Sequence, residues 1–369
     1  MTGGLIVLFG IIAMVMVHEG GHFVAAKAVG MKATEFFFGF GPKLWSTKRG
    51  ETEYGIKAIP LGGYVRIVGM NPYEEVDPAD LGRTYRERPF WQKTIVVLAG
   101  VASHFVVAFL LFFAVSTVVG TSVASTTVAD VQATLDDGSP TPAAQAGVVA
   151  GDTILSLDGV AVDGWGNLVD EISARPGESV DLVVDRAGTT ITLNVDLATV
   201  PEGDGGTRGY LGVTSQRHTE RVGPITGVGR AGSQLGSATV GSVSGLWQMV
   251  SNFGNLVAAT VTGDTERIGQ SRPASPIGLI RIGAETQDLG ISFTLELVAL
   301  VNVFVGIFNV IPVYPLDGGH FAVALYEKVR GREADVRKLA PIAAAVVLFM
   351  VLLGVLAIYL DIADPLSLR

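Results

Sequence analysis

Two histidines and a glutamate stand in the first apolar stretch of the chain, in VMVHEGGHFVAA (residues 15–26). His18 and His22 are four residues apart, so on a helix they project from one face and can bind one metal ion. Glu19 can reach a metal-bound water without being a ligand itself. Two imidazoles, a carboxylate and one open position around Zn²⁺ make a catalytic site, where the metal lowers the pKa of water to about 7 and Glu19 accepts its proton. The pattern predicts zinc-dependent attack on a carbonyl group.

The apolar surroundings favour a metal site over a chance pattern. Residues 5–17 carry no charged side chain, and residues 23–26 are apolar again. In a soluble helix H-E-x-x-H often arises by chance, but an ionisable side chain at membrane depth is costly and functional by default. Gly20 and Gly21 would let a substrate or another backbone approach closely. We therefore interpret the cluster as a metal site.

A third ligand is expected from FNVIPVYPLDGGH, residues 308–320. Asp317 follows two prolines and precedes two glycines, where a helix breaks and leaves backbone groups open. Such a sequence alone is only a turn, but at the end of an apolar helix in this chain Asp317 is the natural carboxylate ligand. Asn309, eight residues earlier, could hydrogen-bond the substrate backbone or the developing oxyanion. His320 is a weaker candidate, better interpreted as interfacial.

Four apolar segments predict transmembrane helices. Of 369 residues, 49% are hydrophobic and 17% charged, and the mean hydropathy is +0.45, too apolar for an ordinary soluble protein of this size. Each segment has the roughly 20 residues that cross about 30 Å of hydrocarbon. The first is not interpreted as a cleaved signal peptide, because no basic region precedes it and no small-residue cleavage site follows. The predicted helices occupy residues 1–29, 94–120, 291–319 and 339–360.

The distribution of basic residues predicts the orientation. Residues 30–93 hold ten Lys and Arg, residues 320–340 hold five, and all eight lysines lie at or within these stretches. Residues 121–290 hold no lysine, nine arginines and 19 acids. The loops 30–93 and 320–338 are therefore expected in the cytoplasm, with both termini and the acidic segment outside. The absence of cysteine excludes disulfides and thiolate ligands.

Residues 123–200 are expected to form a separate soluble domain. Short β-rich runs there are divided by Asp-Gly, Pro-Gly and Ala-Gly turns. PAAQAGVVAGDTILSLDGVAV (142–162) resembles the opening of a bacterial-type PDZ domain, which binds an extended peptide by adding it to a sheet edge. A β-domain that merely spaces the helices is the alternative.

Two further regions suit the membrane surface. The loop 30–93 alternates as β-hairpins do, and its Gly and Pro content suggests irregular backbone dipping towards the membrane, which is tolerated where it is buried in protein or lines a wet cavity. Residues 201–290 are rich in Gly and Ser and hold apolar clusters that suit amphipathic helices at the interface.

These motifs together resemble the site-2 protease family of intramembrane zinc metalloproteases. The resemblance is to the regulator-of-sigma-E-protease type, in its actinobacterial form with one PDZ domain, and it spans about residues 1–200 and 270–369. It is carried by HEGGH, by N-x-x-P-x-x-P-x-D-G-G, by the PDZ-like stretch, and by GFGP (39–42), PLGGYVRI (60–67) and RPFWQK (88–93).

The resemblance implies an architecture and a location. The expected fold is an α-helical polytopic membrane protein with four transmembrane helices, an inserted α+β PDZ domain and a membrane-associated β-hairpin loop. The protein would lie in the lipid of the bacterial inner membrane, with the PDZ domain extracytoplasmic and the active site towards the cytoplasm. Its substrate would be a single-pass membrane protein, typically an anti-sigma factor already trimmed by another protease. No nucleic-acid partner is expected.

The resemblance also implies a role for each site residue. His18, His22 and Asp317 would bind Zn²⁺, Glu19 would be the general base, and Asn309 would contact the substrate. The PLGGYV strand would hold the substrate extended. Its expected contact residues are Gly62, Gly63 and Tyr64.

One departure from the family pattern lies in the second helix. Where the family usually has Gly-Pro-x-x-Asn-Phe, this chain has GVASHF (100–105), with Val101 for Pro and His104 for Asn. His104 is interpreted as a substitute hydrogen-bond donor, an auxiliary neighbour of the metal site, or a polar residue facing the helix bundle. The zinc-binding residues are unaffected.

Two other classes of protein compete with the protease. An ion or metal transporter also buries His and Asp, but it usually shows inverted repeats and paired discontinuous helices. None are visible in this sequence. A catalytically inactive membrane scaffold that binds peptides through its PDZ domain would not need Glu19. A combined metal and activity assay distinguishes the three.

Overall fold

The computed structural model describes residues 2–71, 74–135, 137–201, 206–262 and 273–363. The predictions made for Met1, 202–205, 263–272 and the C-terminal residues 364–369 lie outside the described residues. The chain forms two compact units. One comprises Met1–Gly120 and Arg221–Arg369, and the other comprises Thr121–Glu220.

The α-helices and the strands are numbered here in the order in which they occur along the chain. The helices are α1 (Thr2–Ala28), α2 (Phe90–Ala114), α3 (Pro142–Ala146), α4 (Trp165–Ser173), α5 (Pro224–Ser251), α6 (Phe253–Thr262), α7 (Pro276–Glu285), α8 (Ile291–Val310), α9 (Asp317–Arg330) and α10 (Val336–Ala363). The strands are β1 (Ala33–Arg49), β2 (Thr52–Ile67), β3 (Thr121–Val131), β4 (Thr153–Leu157), β5 (Val160–Ala161), β6 (Ser179–Arg186), β7 (Thr189–Asp196), β8 (Ala198–Pro201), β9 (Thr207–Tyr210) and β10 (Val213–Glu220).

Within the described residues, four helices are long and apolar enough to cross a membrane. They are Thr2–Ala28, Phe90–Val119, Ile291–Val310 and Arg337–Ala363. The second consists of α2 continued by a π-helical turn, Val115–Val119. These helices match the four predicted segments in number and order, because an uncharged run of this length is a strong signal in the sequence alone.

The third predicted segment, 291–319, is divided in the structure. α8 ends at Val310, and Asp317 is the first residue of α9. Pro312 and Pro315 lie between the two helices, where each removes a backbone donor and disfavours helix for the residue before it. α9 runs to Arg330, and the predicted loop 320–338 is therefore largely helical.

Small side chains let α2, α5 and α8 approach closely. α2, α5 and α8 share one buried cluster, to which Ala108, Ala231 and Ala299 contribute. Phe112 and Val303 complete the packing at the same level. Their burial fixes α2 against α8, and these two helices carry part of the candidate site.

The predicted β loop is a folded antiparallel sheet. The first part of β1 is flanked on both edges by β2, because Phe37 pairs with Tyr64 on one edge and with Gly55 on the other. The hairpin turn is attached to α1 through Glu51. Arg83 donates to Glu51 at 2.8 and 3.0 Å, and Lys27 of α1 also pairs with it. The hydrogen bonds from Arg83 and then Lys27 hold the pKa of Glu51 at about 2.

The inserted unit is an α+β domain. Its main sheet has the order β10-β3-β4-β6-β7, with β5 beside β4, and β8 pairs with β9. One core is buried between this sheet and α4, and Leu157, Leu168 and Leu182 are fully buried there. The fold agrees with the expected α+β class of the inserted domain.

The boundaries of this unit are wider than the predicted 123–200. β10 pairs with β3 along most of its length, with Val213 opposite Val131 and Glu220 opposite Thr121. The sequence predicts an interfacial region from residue 201 onwards, because a polar strand such as VTSQRHTE is recognised only through its distant partner. The domain therefore includes β9 and β10.

Candidate active site

α1 presents His18 and His22 on one face, as their spacing predicts. Their Nε2 atoms lie 3.2 Å apart, and the two rings meet edge to face. The Nδ1 atom of His22 lies 2.8 Å from the carbonyl oxygen of Val96 on α2. Because a carbonyl accepts, Nδ1 carries the proton, and the lone pair of Nε2 faces the other two candidate ligands.

Asp317 reaches these histidines because the chain turns sharply after α8. Two glycines follow Asp317, and neither position has room for a side chain. A Cβ on Gly318 would lie 2.0 Å from the carbonyl oxygen of Val310, and a Cβ on Gly319 would lie 2.3 Å from the backbone nitrogen of Tyr314. The first turn of α9 therefore packs directly on the chain leaving α8, which places the carboxylate beside α1.

The three ligand atoms fit a zinc ion. Oδ2 of Asp317 lies 3.4 Å from Nε2 of His18 and 3.3 Å from Nε2 of His22. Four bonds of about 2.0–2.1 Å at tetrahedral angles place ligand atoms about 3.3–3.4 Å apart, close to this triangle. Oδ2 is also buried without a hydrogen-bond partner, and a cation would satisfy it. The three side chains can hold a metal ion together.

Glu19 is oriented by the edge of the β sheet. Its Oε2 accepts a hydrogen bond of 3.0 Å from the N–H of Val65. Val65 is paired with Phe36 of β1 on the opposite edge of β2. Gly63 lies against the same carboxylate, because a Cβ added there would come 3.5 Å from Cγ of Glu19. The last part of β2 is thus directly beside the face of α1 that carries His18 and His22.

The structure places the other predicted strand residues next to this contact. Gly62 has a φ of +130°, which favours glycine, and a Cβ there would lie 3.3 Å from the ring of Phe40. Tyr64 stacks on the ring of Phe37 at 5.8 Å, its hydroxyl hydrogen-bonds Glu35, and Lys57 donates to that hydroxyl at 2.7 Å. The Tyr64 side chain is thus engaged within the sheet.

The remaining predicted residues differ in their placement. Asn309 is half-buried in the last turn of α8 and, among the described residues, makes no hydrogen bond to the three ligand candidates. His320 lies in the first turn of α9, with its ring 4.8 Å from that of Tyr314. Burial lowers the pKa of His320 to about 4, so it is neutral at pH 7. His104 is fully buried, and its ring centroid is 4.8 Å from that of His18.

Two residues near the site were not identified from the sequence. Asn302 of α8 is buried and lies 3.4 Å from Nδ1 of His104. It is seven residues before Asn309, on the same helix face, and this spacing was an available signal. Gly100 of α2 faces His22, and a Cβ there would come 2.2 Å from Nε2. It stands in GVASHF, where the family pattern also has Gly, but the local sequence does not show its contact with His22.

Comparison with known proteins assigns the family. The model of Peptidase family M50 matches residues 6–354. The chain belongs to this family, that of the site-2 proteases, which confirms the resemblance found in its motifs. Zinc metalloprotease Rip1 of Mycobacterium tuberculosis is 32% identical over 405 residues, covering 100% of this chain and 98% of the relative.

Other relatives carry similar names. Zinc metalloprotease Rip1 of Mycolicibacterium smegmatis is 33% identical over 412 residues, covering 100% of this chain and 99% of its own. A putative zinc metalloprotease of a Nostoc species is 31% identical over 323 residues, covering 86% of this chain and 84% of its own. Among solved structures, the PDZ domain of the SdrC-like protein from Listeria monocytogenes is 24% identical, with a TM-score of 0.20, and covers 25% of this chain and 90% of its own.

The class of the protein follows from the site and the family together. It is a zinc metalloprotease, as predicted, and Zn²⁺ is its cofactor. The family and the four apolar helices make it an integral membrane protein.

Proposed function

We propose that the protein is an intramembrane zinc endopeptidase with His18, His22 and Asp317 as ligands and Glu19 as general base. The observation that carries this proposal is the triangle of ligand atoms, 3.2 to 3.4 Å on each side, formed partly by a helix long and apolar enough to span a membrane. A hydrolytic centre at that depth suits peptide bonds within or near a transmembrane segment.

The proposed chemistry divides between the metal and Glu19. Zinc, when bound, polarises the scissile carbonyl and lowers the pKa of a water molecule to about 7. Oε2 of Glu19 is occupied by the N–H of Val65, which leaves Oε1 to accept the proton of the attacking water. Glu19 then delivers this proton to the leaving amine nitrogen. The β2 edge thereby determines which carboxylate oxygen takes part.

The substrate is proposed to bind extended along the last part of β2. This part of β2 pairs with β1 on one edge, and its other edge faces Glu19. A substrate strand added beside it would bring its carbonyls towards the metal-binding residues. Gly62, Gly63 and the backbone of Tyr64 are the proposed contacts. Asn309 is proposed to donate to the substrate backbone or to the oxyanion.

The proposed substrates are single-pass membrane proteins, anti-sigma factors among them. We place the protein in the bacterial inner membrane, with the unit Thr121–Glu220 outside and the loops 30–93 and 320–338 inside. The asymmetry of basic residues supports this orientation. The external unit is proposed to be a PDZ domain that contacts the substrate ectodomain.

Glu19→Gln tests the proposed mechanism. Gln keeps the size and hydrogen-bonding capacity of Glu19 but cannot accept a proton at neutral pH. General-base contributions are about 10²–10⁴-fold, so cleavage should fall by at least about 100-fold while zinc per chain stays unchanged. His22→Ala and Asp317→Ala should lower zinc and cleavage together. Each variant would be purified in detergent, with zinc and cleavage of a single-pass substrate measured.

The outcomes separate the alternatives. Wild-type cleavage by Glu19→Gln would exclude Glu19 as the base. Full zinc content in Asp317→Ala would exclude the proposed ligand set. An inactive scaffold would bind zinc without cleaving in any version of the protein, the wild type included.

A further inference from the structure

The two candidate histidine ligands are held in place by different means. His22 has a hydrogen bond from Nδ1 to the carbonyl of Val96, the usual way in which a protein fixes a metal-binding ring. Nδ1 of His18 is buried without a partner at hydrogen-bonding geometry. The carbonyl oxygen of Gly100 is close enough to interact with the His18 ring, and it also accepts a hydrogen bond of 2.7 Å from Ser103. His18 therefore has no hydrogen bond as well formed as that of His22, and a further contact with its ring would help to set its orientation.

His104 is placed to supply that contact. Its ring centroid lies 4.8 Å from that of His18, and the two ring planes are tilted by only 31°. His22 meets the same ring nearly at right angles, with its centroid 4.7 Å away. The ring of His18 therefore lies between a tilted stacking contact from α2 and an edge contact from its own helix.

Asn302 fixes the orientation of His104. Nδ2 of Asn302 donates to the carbonyl of Val298 at 2.9 Å, one turn earlier on α8, which leaves Oδ1 as the atom that faces His104. Because Oδ1 can only accept, Nδ1 of His104 is the protonated nitrogen of the neutral ring. Asn302 and His104 are both almost completely buried. The ring is thus anchored at one end by α8.

The other nitrogen of His104 takes no part in this anchoring. Nε2 is buried and has no hydrogen-bond partner among the residues that the structure describes. A buried acceptor without a donor destabilises a fold. The favourable interactions of His104 are therefore the contact of Nδ1 with Asn302 and the contact of its ring face with His18. An apolar side chain of similar size would avoid the unpaired nitrogen, and only a flat ring would keep the stacking contact.

We propose that His104 is a positioning residue that fixes the ring of His18 for zinc binding by stacking on it. This inference rests on the proposed role of His18 as a ligand. Loss of the ring face leaves His18 without its stacking partner, with only the edge contact of His22 and the nearby carbonyl of Gly100 beside it. The ligand then samples several orientations, and zinc binds more weakly.

Two substitutions separate the ring face from the nitrogen atoms. His104→Leu and His104→Phe both remove the nitrogens and leave Asn302 equally unpaired, but only Phe keeps a flat ring. Removing groups that orient a ligand typically weakens metal binding about 10–100-fold. We expect that loss for His104→Leu and an affinity close to wild type for His104→Phe. Zinc affinity would be measured by competition with a chromogenic chelator on the full chain in detergent.

Stability provides a readout that separates positioning from folding. His104→Leu and His104→Phe each remove one buried unpaired nitrogen and leave Oδ1 of Asn302 without its donor, so the melting temperatures of their metal-free forms should agree with each other. Phe112→Leu is the matched control, because Phe112 is buried on the same helix in the cluster shared with α5 and α8. It should lower the melting temperature and leave zinc affinity unchanged.

The results are decisive in either direction. Wild-type zinc affinity in His104→Leu would overturn the proposal, and so would equal losses in His104→Leu and His104→Phe. Absence of zinc binding by the wild type would overturn it together with the ligand assignment. If the wild type binds zinc but cleaves no membrane substrate, the proposed function fails, and the affinities of the two variants still decide the role of His104.

Discussion

Gly100 and Gly21 determine how closely α2 approaches the metal-binding face of α1. A Cβ on Gly21 would lie 2.5 Å from the carbonyl oxygen of Ala99, and a Cβ on Gly100 would lie 2.2 Å from Nε2 of His22. Real Cβ atoms do not approach other atoms so closely, so a methyl group at either position would push the helices apart. The two glycines of HEGGH are therefore not equivalent, because the space that a Cβ on Gly20 would enter is open to a distance of 4 Å.

Gly100→Ala should remove zinc although Ala is the better helix former. Ala is favoured over Gly by about 1 kcal/mol in a helix interior, but the new methyl group would displace the ring of His22. Zinc per chain should fall well below one in Gly100→Ala and stay at the wild-type level in the control Gly20→Ala. Metal analysis after gel filtration measures both. Stoichiometric zinc in Gly100→Ala would contradict the close packing of α2 on His22.

At the residue scale, the sequence predicted the candidate ligands better than the residues that position them. His18, His22 and Asp317 were recognisable as candidate ligands because few residue types suit a metal, because the two histidines have a fixed helical spacing, and because Asp317 stands where an apolar helix breaks. Gly100 and Asn302 act through contacts between α1, α2 and α8, and those contacts depend on how the helices pack. Asn302 shares a helix face with Asn309, and Gly100 stands in GVASHF, but their contacts with His104 and His22 could be recognised only from the fold.

Among the elements of the inserted unit, the loop before β4 and the end of β6 are joined by an ion pair. Arg186 donates from Nε and Nη2 to the two carboxylate oxygens of Asp152, each at 2.8 Å, and the N–H of Val149 donates at 3.0 Å. Asp152 is fully buried. The hydrogen bonds from Arg186 hold the pKa of Asp152 below its usual range.

The stability of this unit should depend on pH through Asp152. A folded-state pKa below the unfolded value, about 3.9, contributes stability above that pH and loses it as the pH falls through the folded value. Asp152→Asn should destabilise the unit by about 1–3 kcal/mol at pH 7. The difference from the wild type should shrink below about pH 4. Hydrogen exchange of residues 121–220 in the full chain measures both effects.

The exposed Asp163 provides the control for this experiment. Asp163→Asn removes the same charge without a buried ion pair, so the exchange of the unit should not change. A destabilisation equal to that of Asp152→Asn would mean that net charge, rather than the pair with Arg186, is responsible.

At the scale of elements, the apolar helices were predictable and the edges of the sheet were not. A run of about 20 uncharged residues indicates a membrane helix without reference to the rest of the chain. β10 has exposed polar residues and pairs with β3, which precedes it by more than 80 residues. The start of α9 was also hidden, because its first residues are the Asp-Gly-Gly that suggested only a turn.

For the molecule as a whole, the positions of lysine make the proposed orientation testable. All eight lysines lie between Lys27 and Lys93 or between Lys328 and Lys338. A membrane-impermeant amine reagent applied to intact cells should therefore leave their side chains unlabelled, and permeabilised cells should show labelling. Mass spectrometry of the purified protein locates any modified lysine. Efficient labelling of lysine side chains in intact cells would contradict the proposed orientation and indicate the opposite one.

The inserted unit begins and ends at the same place. Thr121, its first residue, is paired with Glu220, its last, and antiparallel partners have Cα atoms only about 4.5–5.5 Å apart. Consecutive Cα atoms in any chain are about 3.8 Å apart, so the whole excursion adds almost no distance between Gly120 and Arg221. For the connectivity of the helices, these 100 residues are equivalent to little more than one peptide bond. An ancestor could therefore acquire or lose this module at a single point in the chain without rearranging the helices that carry the candidate ligands.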